Sequence, residues 1–191
     1  MKTKLISIIT ILMLSVPLAI AQSTDNAKIS FALLGGINFQ NLNGKTSNGD
    51  KLTNDMMLGF HGGVNVQIPI ATEFRFQPGL LFSTKGAKLT NGSSAKLSYI
   101  ELPLNLVYKA LLGNGKFMLG FGPYLGYAIS TSGGNFKAFD AGGNIFAGYE
   151  LAGGLFFQFN TQLGMIDIND GDPAYKSIKN TGFGLSLGYR F

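Results

Sequence analysis

The sequence predicts an all-β protein, an eight-stranded antiparallel up-and-down transmembrane β-barrel, and three observations carry the prediction. Eight stretches alternate with a period of two, with large apolar residues on one parity and glycine, serine or amide residues on the other. Charge is scarce, at 13% of residues, and within these stretches it falls only on the small or polar parity. The connections alternate between long polar loops and short turns, the asymmetry of a barrel with both termini at one membrane face.

The pattern is clearest over 181–191, TGFGLSLGYRF. Phe183, Leu185, Leu187, Tyr189 and Phe191 share one parity, and Gly182, Gly184, Ser186, Gly188 and Arg190 share the other. A solvated face would not be built of glycine and serine, so lipid on one side and a crowded polar interior on the other fit better. Taken in order, strand one over 29–40 sets Phe31, Leu33, Ile37 and Phe39 against Ala32, Gly36, Asn38 and Gln40. A polar loop over 41–55 follows. Strand two, 58–68, sets Phe60, Val64 and Val66 against His61, Asn65 and Gln67, and a short link over 69–73 leads on. Strand three, 74–83, carries Phe74, Phe76 and Leu80 opposite Arg75, Gln77 and Ser83, and its Pro78 is expected to mark a bulge or local break.

A second polar loop is expected over 85–96. Strand four, 99–108, sets Ile100, Leu102, Leu104 and Leu106 against Glu101, Pro103 and Asn105, and the turn Gly113-Asn114-Gly115 follows. Strand five, 117–129, has Phe117, Leu119, Phe121 and Leu125 outward with Gly120, Gly122, Tyr124 and Gly126 inward. After a third loop over 131–137, strand six sets Ile145 and Tyr149 against Asn144 and Glu150, and turns at Gly153-Gly154. Strand seven, 155–165, sets Phe157, Phe159 and Leu163 against Gln158, Asn160 and Gln162. A last loop over 167–180 precedes the eighth strand. Each strand has roughly the 9–11 residues that cross a bilayer at a tilt.

A soluble barrel of the lipocalin kind would bury its apolar face and charge its exterior. Here Arg75, Glu101, Glu150 and Arg190 all lie on the small parity, so the exterior would be aromatic and chargeless. That argues against a soluble barrel.

Composition narrows the function. The 191 residues include no Cys and a single His. Disulfides and thiolate metal sites are therefore excluded, and His-based catalysis is poorly supplied. Lys2 and Lys4, an apolar run over 5–14 and Ala19-Ile20-Ala21 read as a secretory signal peptide over 1–21. A short lead-in over 22–28 and the barrel over 29–191 complete the domain plan. Removing Lys2 and Lys4 from 15 basic residues leaves 13 against 10 acidic, too slight an excess to suggest nucleic acid. Export plus a barrel implies the bacterial outer membrane.

Several segments in order also resemble one family. They are FQPGLLFSTKG over 76–86, YIELPL over 99–104, GFGPYLGY over 120–127, AGYEL over 147–151 and the terminal GLSLGYRF. Together they resemble the outer-membrane β-barrel domain family common in Bacteroidota, often labelled PorT-like or porin-family proteins. The resemblance implies an outer-membrane barrel similar to the eight-stranded OmpA transmembrane domain; a role in type IX secretion belongs to some members.

The expected site is a polar network filling the lumen: Arg75, Glu101, Glu150 and Arg190, neutralising one another, with Gln77, Asn105, Gln158 and Asn160, and with Gln67 and Gln162 beside them. The functional counterpart of that filling is a gated path for ions or small solutes. Asp167, Asn169, Asp170 and Asp172 surround Gly171, but the glycine sits one position early for an EF-hand, so a turn-rich surface loop is expected and no metal. Paired glycines such as Gly35-Gly36, Gly62-Gly63 and Gly142-Gly143 are expected to let aromatic rings pack on bare backbone. Lys45, Lys51, Lys85, Lys88, Lys96, Lys137, Lys176 and Lys179 are expected at the outer rim, where lipopolysaccharide phosphates would complement them. The expectation is a monomer in outer-membrane lipid with no cofactor and no catalytic residue, in a structural or surface-interaction role. A narrow porin-like channel or an envelope-assembly component of type IX secretion kind is the alternative.

Overall fold

The computed structural model describes residues 28–89 and 92–191, so the leader expected over 1–21 lies outside the described residues. Eight strands follow one another: β1 (Ser30–Thr46), β2 (Asp55–Pro69), β3 (Phe74–Lys88), β4 (Ser94–Leu112), β5 (Gly115–Ser132), β6 (Phe139–Glu150), β7 (Leu155–Gly164) and β8 (Tyr175–Arg190). Each pairs antiparallel with the next, and β8 closes on β1 with Gly36 opposite Ser186 and Ala32 opposite Arg190. Closure leaves no free edge, so the ladder satisfies the backbone polar groups that hydrocarbon could not.

Side chains divide by parity. Leu33, Ile37, Phe60, Leu80, Leu125, Phe159 and Leu187 are exposed on the outer wall, while Asn38, His61, Gln77, Glu101 and Asn144 are buried inside. Tyr108, Tyr149 and Tyr189 sit on the outer wall near the end that carries both termini, and Tyr149 donates a hydrogen bond to the Leu112 carbonyl at 2.7 Å. That places an aromatic belt at one interface.

The strands outrun the expected ones at the loop end. β4 has 19 residues, about twice the 9–11 needed to cross a bilayer. About half of each loop expected over 41–55 and 85–96 is strand: β1 continues to Thr46, β3 to Lys88, and β4 begins at Ser94. Apolar alternation reports only the height of the lipid, whereas ladder hydrogen bonds continue above it with Asn43, Lys45, Lys88 and Lys96 exposed on the extensions. Pro78 marks a local break, not a bulge: pairing with β4 lapses at Gly79 and Leu80 and pairing with β2 at Gln77 and Pro78, and both resume in the same register. Register shifts fall instead between Met56 and His61, and between Ser98 and Tyr99.

The interior is filled in layers. An apolar layer of Ala32, Val107, Met118, Phe146 and Phe156 lies toward the terminal end, and another of Leu42, Ala87, Ala95, Leu97, Ala128, Ile168 and Ile178 lies toward the loop end. In the lumen, aromatic rings press on single glycines, among them Gly120, under Phe146, and Gly188, under Phe156. Gly36, Gly63 and Gly142 are different: a side chain there would fall on the neighbouring strand's backbone, so the expectation of ring packing at the glycine pairs is corrected.

Candidate functional site

The charges of the lumen form two clusters rather than one network, one above the central chamber and one at the terminal-end mouth, outside the apolar layer there. The upper cluster hangs from β3, β4 and β6. Lys85 Nζ stands 2.6 Å from Glu101 Oε1 and 3.7 Å from Asp140 Oδ2, and all three side chains are between 0% and 1% exposed. Tyr124 donates its hydroxyl to Asp140 Oδ2 at 3.1 Å, Asn180 Nδ2 donates to the same oxygen at 2.9 Å, and Gln162 Nε2 donates to Glu101 Oε2 at 3.1 Å. The ammonium also lies over the rings of Tyr124 and Tyr99, 4.4 and 5.3 Å from their centroids. Ion pairing and cation–π attraction together replace the water this lysine has lost. Tyr124→Phe removes one hydrogen bond to a buried charge and is expected to cost about 1.5–3 kcal/mol, read as a lower urea midpoint in detergent micelles.

The lower cluster is built on β4, β6 and β8. Lys109 Nζ donates to both Glu150 oxygens at 2.8 Å and to Gln67 Oε1 at 3.2 Å. Arg190 donates from Nε to Glu150 Oε2 at 2.8 Å and from Nη1 to Asn65 Oδ1 at 3.2 Å, with its guanidinium over the Phe156 ring. The two clusters are mirror images in charge: two cations hold one acid below, and one cation holds two acids above.

The middle of the lumen is a cavity of about 50 Å³, room for a few water molecules at about 10–15 Å³ each. Asn38, Asn105, Asn144, Gln158 and Asn160 line it, and unpaired amide atoms of Asn38, Asn105, Asn144 and Asn160 are buried there. His61 Nε2 and Ser186 Oγ share a hydrogen bond of 2.7 Å in the same chamber, enclosed by the clusters above and below.

The expected residues therefore separate. Glu101 belongs to the upper cluster, Glu150 and Arg190 to the lower, and Asn105, Gln158 and Asn160 to the chamber wall. Gln77 accepts a hydrogen bond from Gln67 at 2.7 Å. Arg75 does not join the lumen network. Its Nη1 donates to the carbonyls of Ala71, Thr72 and Phe74 at 2.6, 3.1 and 3.0 Å, because it stands at the start of β3, where a long side chain reaches the adjoining turn. Lys85, expected at the outer rim, is instead fully buried. Lys109 and Asp140 were not expected in the lumen. All three lie on the inward parity of their strands, one or more residues beyond the apolar alternation, and extending that parity would have found them. In the loop before β8, Asp167 Oδ1 accepts from the backbone of Asn169 and Ile178, and Asp172 Oδ1 accepts from Ala174. These acids cap turns, and among the described residues no group of three metal-ligating side chains forms.

The outer membrane protein beta-barrel domain family matches residues 6–191. The chain belongs to that family. Solved barrels share the fold: Neisserial surface protein A aligns with a TM-score of 0.50 at 18% identity over 86% of this chain and 98% of that one. OprG of Pseudomonas aeruginosa aligns with a TM-score of 0.51 at 14% identity over 86% and 96%. No curated protein matches the chain in sequence. As a member of an outer-membrane barrel family, it turns its exposed apolar wall to lipid.

Proposed function

We propose that this chain is a monomeric outer-membrane barrel, exported with loss of the leader over 1–21, which acts through its outer wall and extracellular surface while its lumen stays shut. The observation that carries this reading is the double closure. A solute would have to part Lys85 from Glu101 and Asp140, and also Glu150 from Lys109 and Arg190, each cluster backed by an apolar layer. Separating buried ion pairs is costly because each charge would be left unpaired in a low-dielectric interior. In this reading the partners are lipid and lipopolysaccharide, whose phosphates suit Lys45, Lys88 and Lys96, exposed on the polar strand extensions.

The test is single-channel recording of the refolded protein in a planar bilayer. Wild type is expected to give no steady conductance while heat-modifiable gel mobility shows it folded. The polar chamber, with room for a few waters, favours a second reading, a narrow channel gated by the clusters. Steady wild-type current changed by Glu101→Gln would replace the closed-barrel reading with that one. Co-purification with a secretion complex would instead favour the assembly role suggested by the likeness to PorT-like proteins.

A further inference from the structure

The lower mouth of the barrel is an open basin of about 450 Å³, lined by Lys28, Arg75, Lys109, Lys116 and Arg190 against one acidic side chain, Glu150. Five cations line the basin with that one carboxylate, an excess of four. Glu73, on the adjoining turn, lies beside Tyr108 on the outer wall and does not line the basin.

The hydrogen bonds show which of these cations are already committed. Lys109 has three ammonium protons and three acceptors, the two Glu150 oxygens and Gln67 Oε1. Arg190 gives Nε to the same carboxylate and Nη1 to Asn65, leaving Nη2. Glu150 is thus neutralised twice over and can hold no further cation. Arg75 has its Nη1 fixed by three turn carbonyls, which locks the guanidinium and leaves Nε and Nη2. Lys116 and Lys28 are exposed at the rim, with no acid paired to them among the described residues.

A rigid guanidinium with a free two-nitrogen edge, beside uncommitted ammonium groups, matches the geometry of a doubly coordinated oxyanion. A concave mouth with one sign of charge also concentrates the opposite sign from solution. We propose that the periplasmic mouth is a binding site for a multivalent phosphate-bearing anion, held by Arg75 and Lys116 with Arg190 Nη2 at its floor. The basin has space for more than one phosphate group, so an oligophosphate or a phosphorylated small molecule fits better than a single inorganic ion. The site lies at the opposite end of the molecule from the rim lysines and does not depend on what those lysines meet.

The test is calorimetric titration of the refolded full barrel in zwitterionic micelles with sodium tripolyphosphate, against sodium chloride at matched ionic strength. Wild type is expected to bind tripolyphosphate saturably and chloride not at all. Arg75→Gln and Lys116→Gln are each expected to weaken binding about tenfold, and Lys88→Gln, at the far end, is expected to leave it unchanged. Lys116 touches no turn carbonyl, so its variant keeps the test sharp if Arg75→Gln fails to fold. Displacement of tripolyphosphate on transfer to nanodiscs containing phosphatidylglycerol would assign the site to a lipid phosphate; retention would assign it to a soluble one. Absence of saturable binding, or equal loss in Lys88→Gln and Lys116→Gln, would overturn the proposal.

Discussion

Lys85→Met is expected to lower the stability of the refolded barrel by about 3–5 kcal/mol, the cost of breaking a buried ion pair by removing one partner. The reason lies in the charge count of the upper cluster. Among the described residues Lys85 is the one cation paired with Glu101 and Asp140, and all three are removed from solvent. Without the ammonium, two buried carboxylates are left with no cation beside them. Tyr124 and Asn180 can still donate to Asp140, and Gln162 to Glu101, but neutral donors do not cancel charge. The triple change Lys85→Met, Glu101→Gln, Asp140→Asn is expected to recover most of the loss, because a neutral cluster of similar volume has no charge to strand. Urea unfolding in micelles, followed by circular dichroism, distinguishes the two. A single variant as stable as wild type would mean that water reaches this cluster, and the closed-lumen reading would fall with it.

The same cluster shows where the sequence was legible and where it was not. Period-two alternation identified all eight strands and the correct face for Glu101, Glu150 and Arg190, since lipid leaves charges only one side to occupy. It did not find the ends of the strands. Lys85 and Asp140 lie where the outward residues turn polar, so Lys85 read as part of a loop although its strand runs on to Lys88. Parity alone also misplaced Arg75. A lysine or arginine at a strand terminus has enough reach to leave the lumen for nearby carbonyls, and the turn over 70–73 offers several. The division of the charges into two clusters depends on strand stagger around the closed barrel. That property of the pairing register does not show in any single strand.

Stagger also governs the second large effect. Gly36→Ala is expected to prevent stable closure of the barrel, whereas Gly35→Ala is expected to fold like wild type. The two glycines are adjacent on β1, at the seam where β1 meets β8. A Cβ on Gly36 would fall on the Leu185 carbonyl oxygen, with the Leu185 carbonyl carbon and Ser186 Cα both at 2.9 Å. These are backbone atoms of the partner strand, so no side chain can rotate away to relieve the contact. Relief requires the strands to part. Each ladder bond lost contributes about 0.5–1.5 kcal/mol, and each buried group left unsatisfied costs about 1–3 kcal/mol more, so two or three displaced pairs amount to a substantial fraction of a domain's stability of about 5–15 kcal/mol. A Cβ on Gly35 points outward and meets only the His61 carbonyl oxygen, at an ordinary 3.7 Å. Heat-modifiable gel mobility after refolding reads the folded fraction of each variant directly. A Gly36→Ala barrel that refolds as fully as Gly35→Ala would show that the β1–β8 seam can open without loss, and the closure inferred from the pairing register would have to be relaxed.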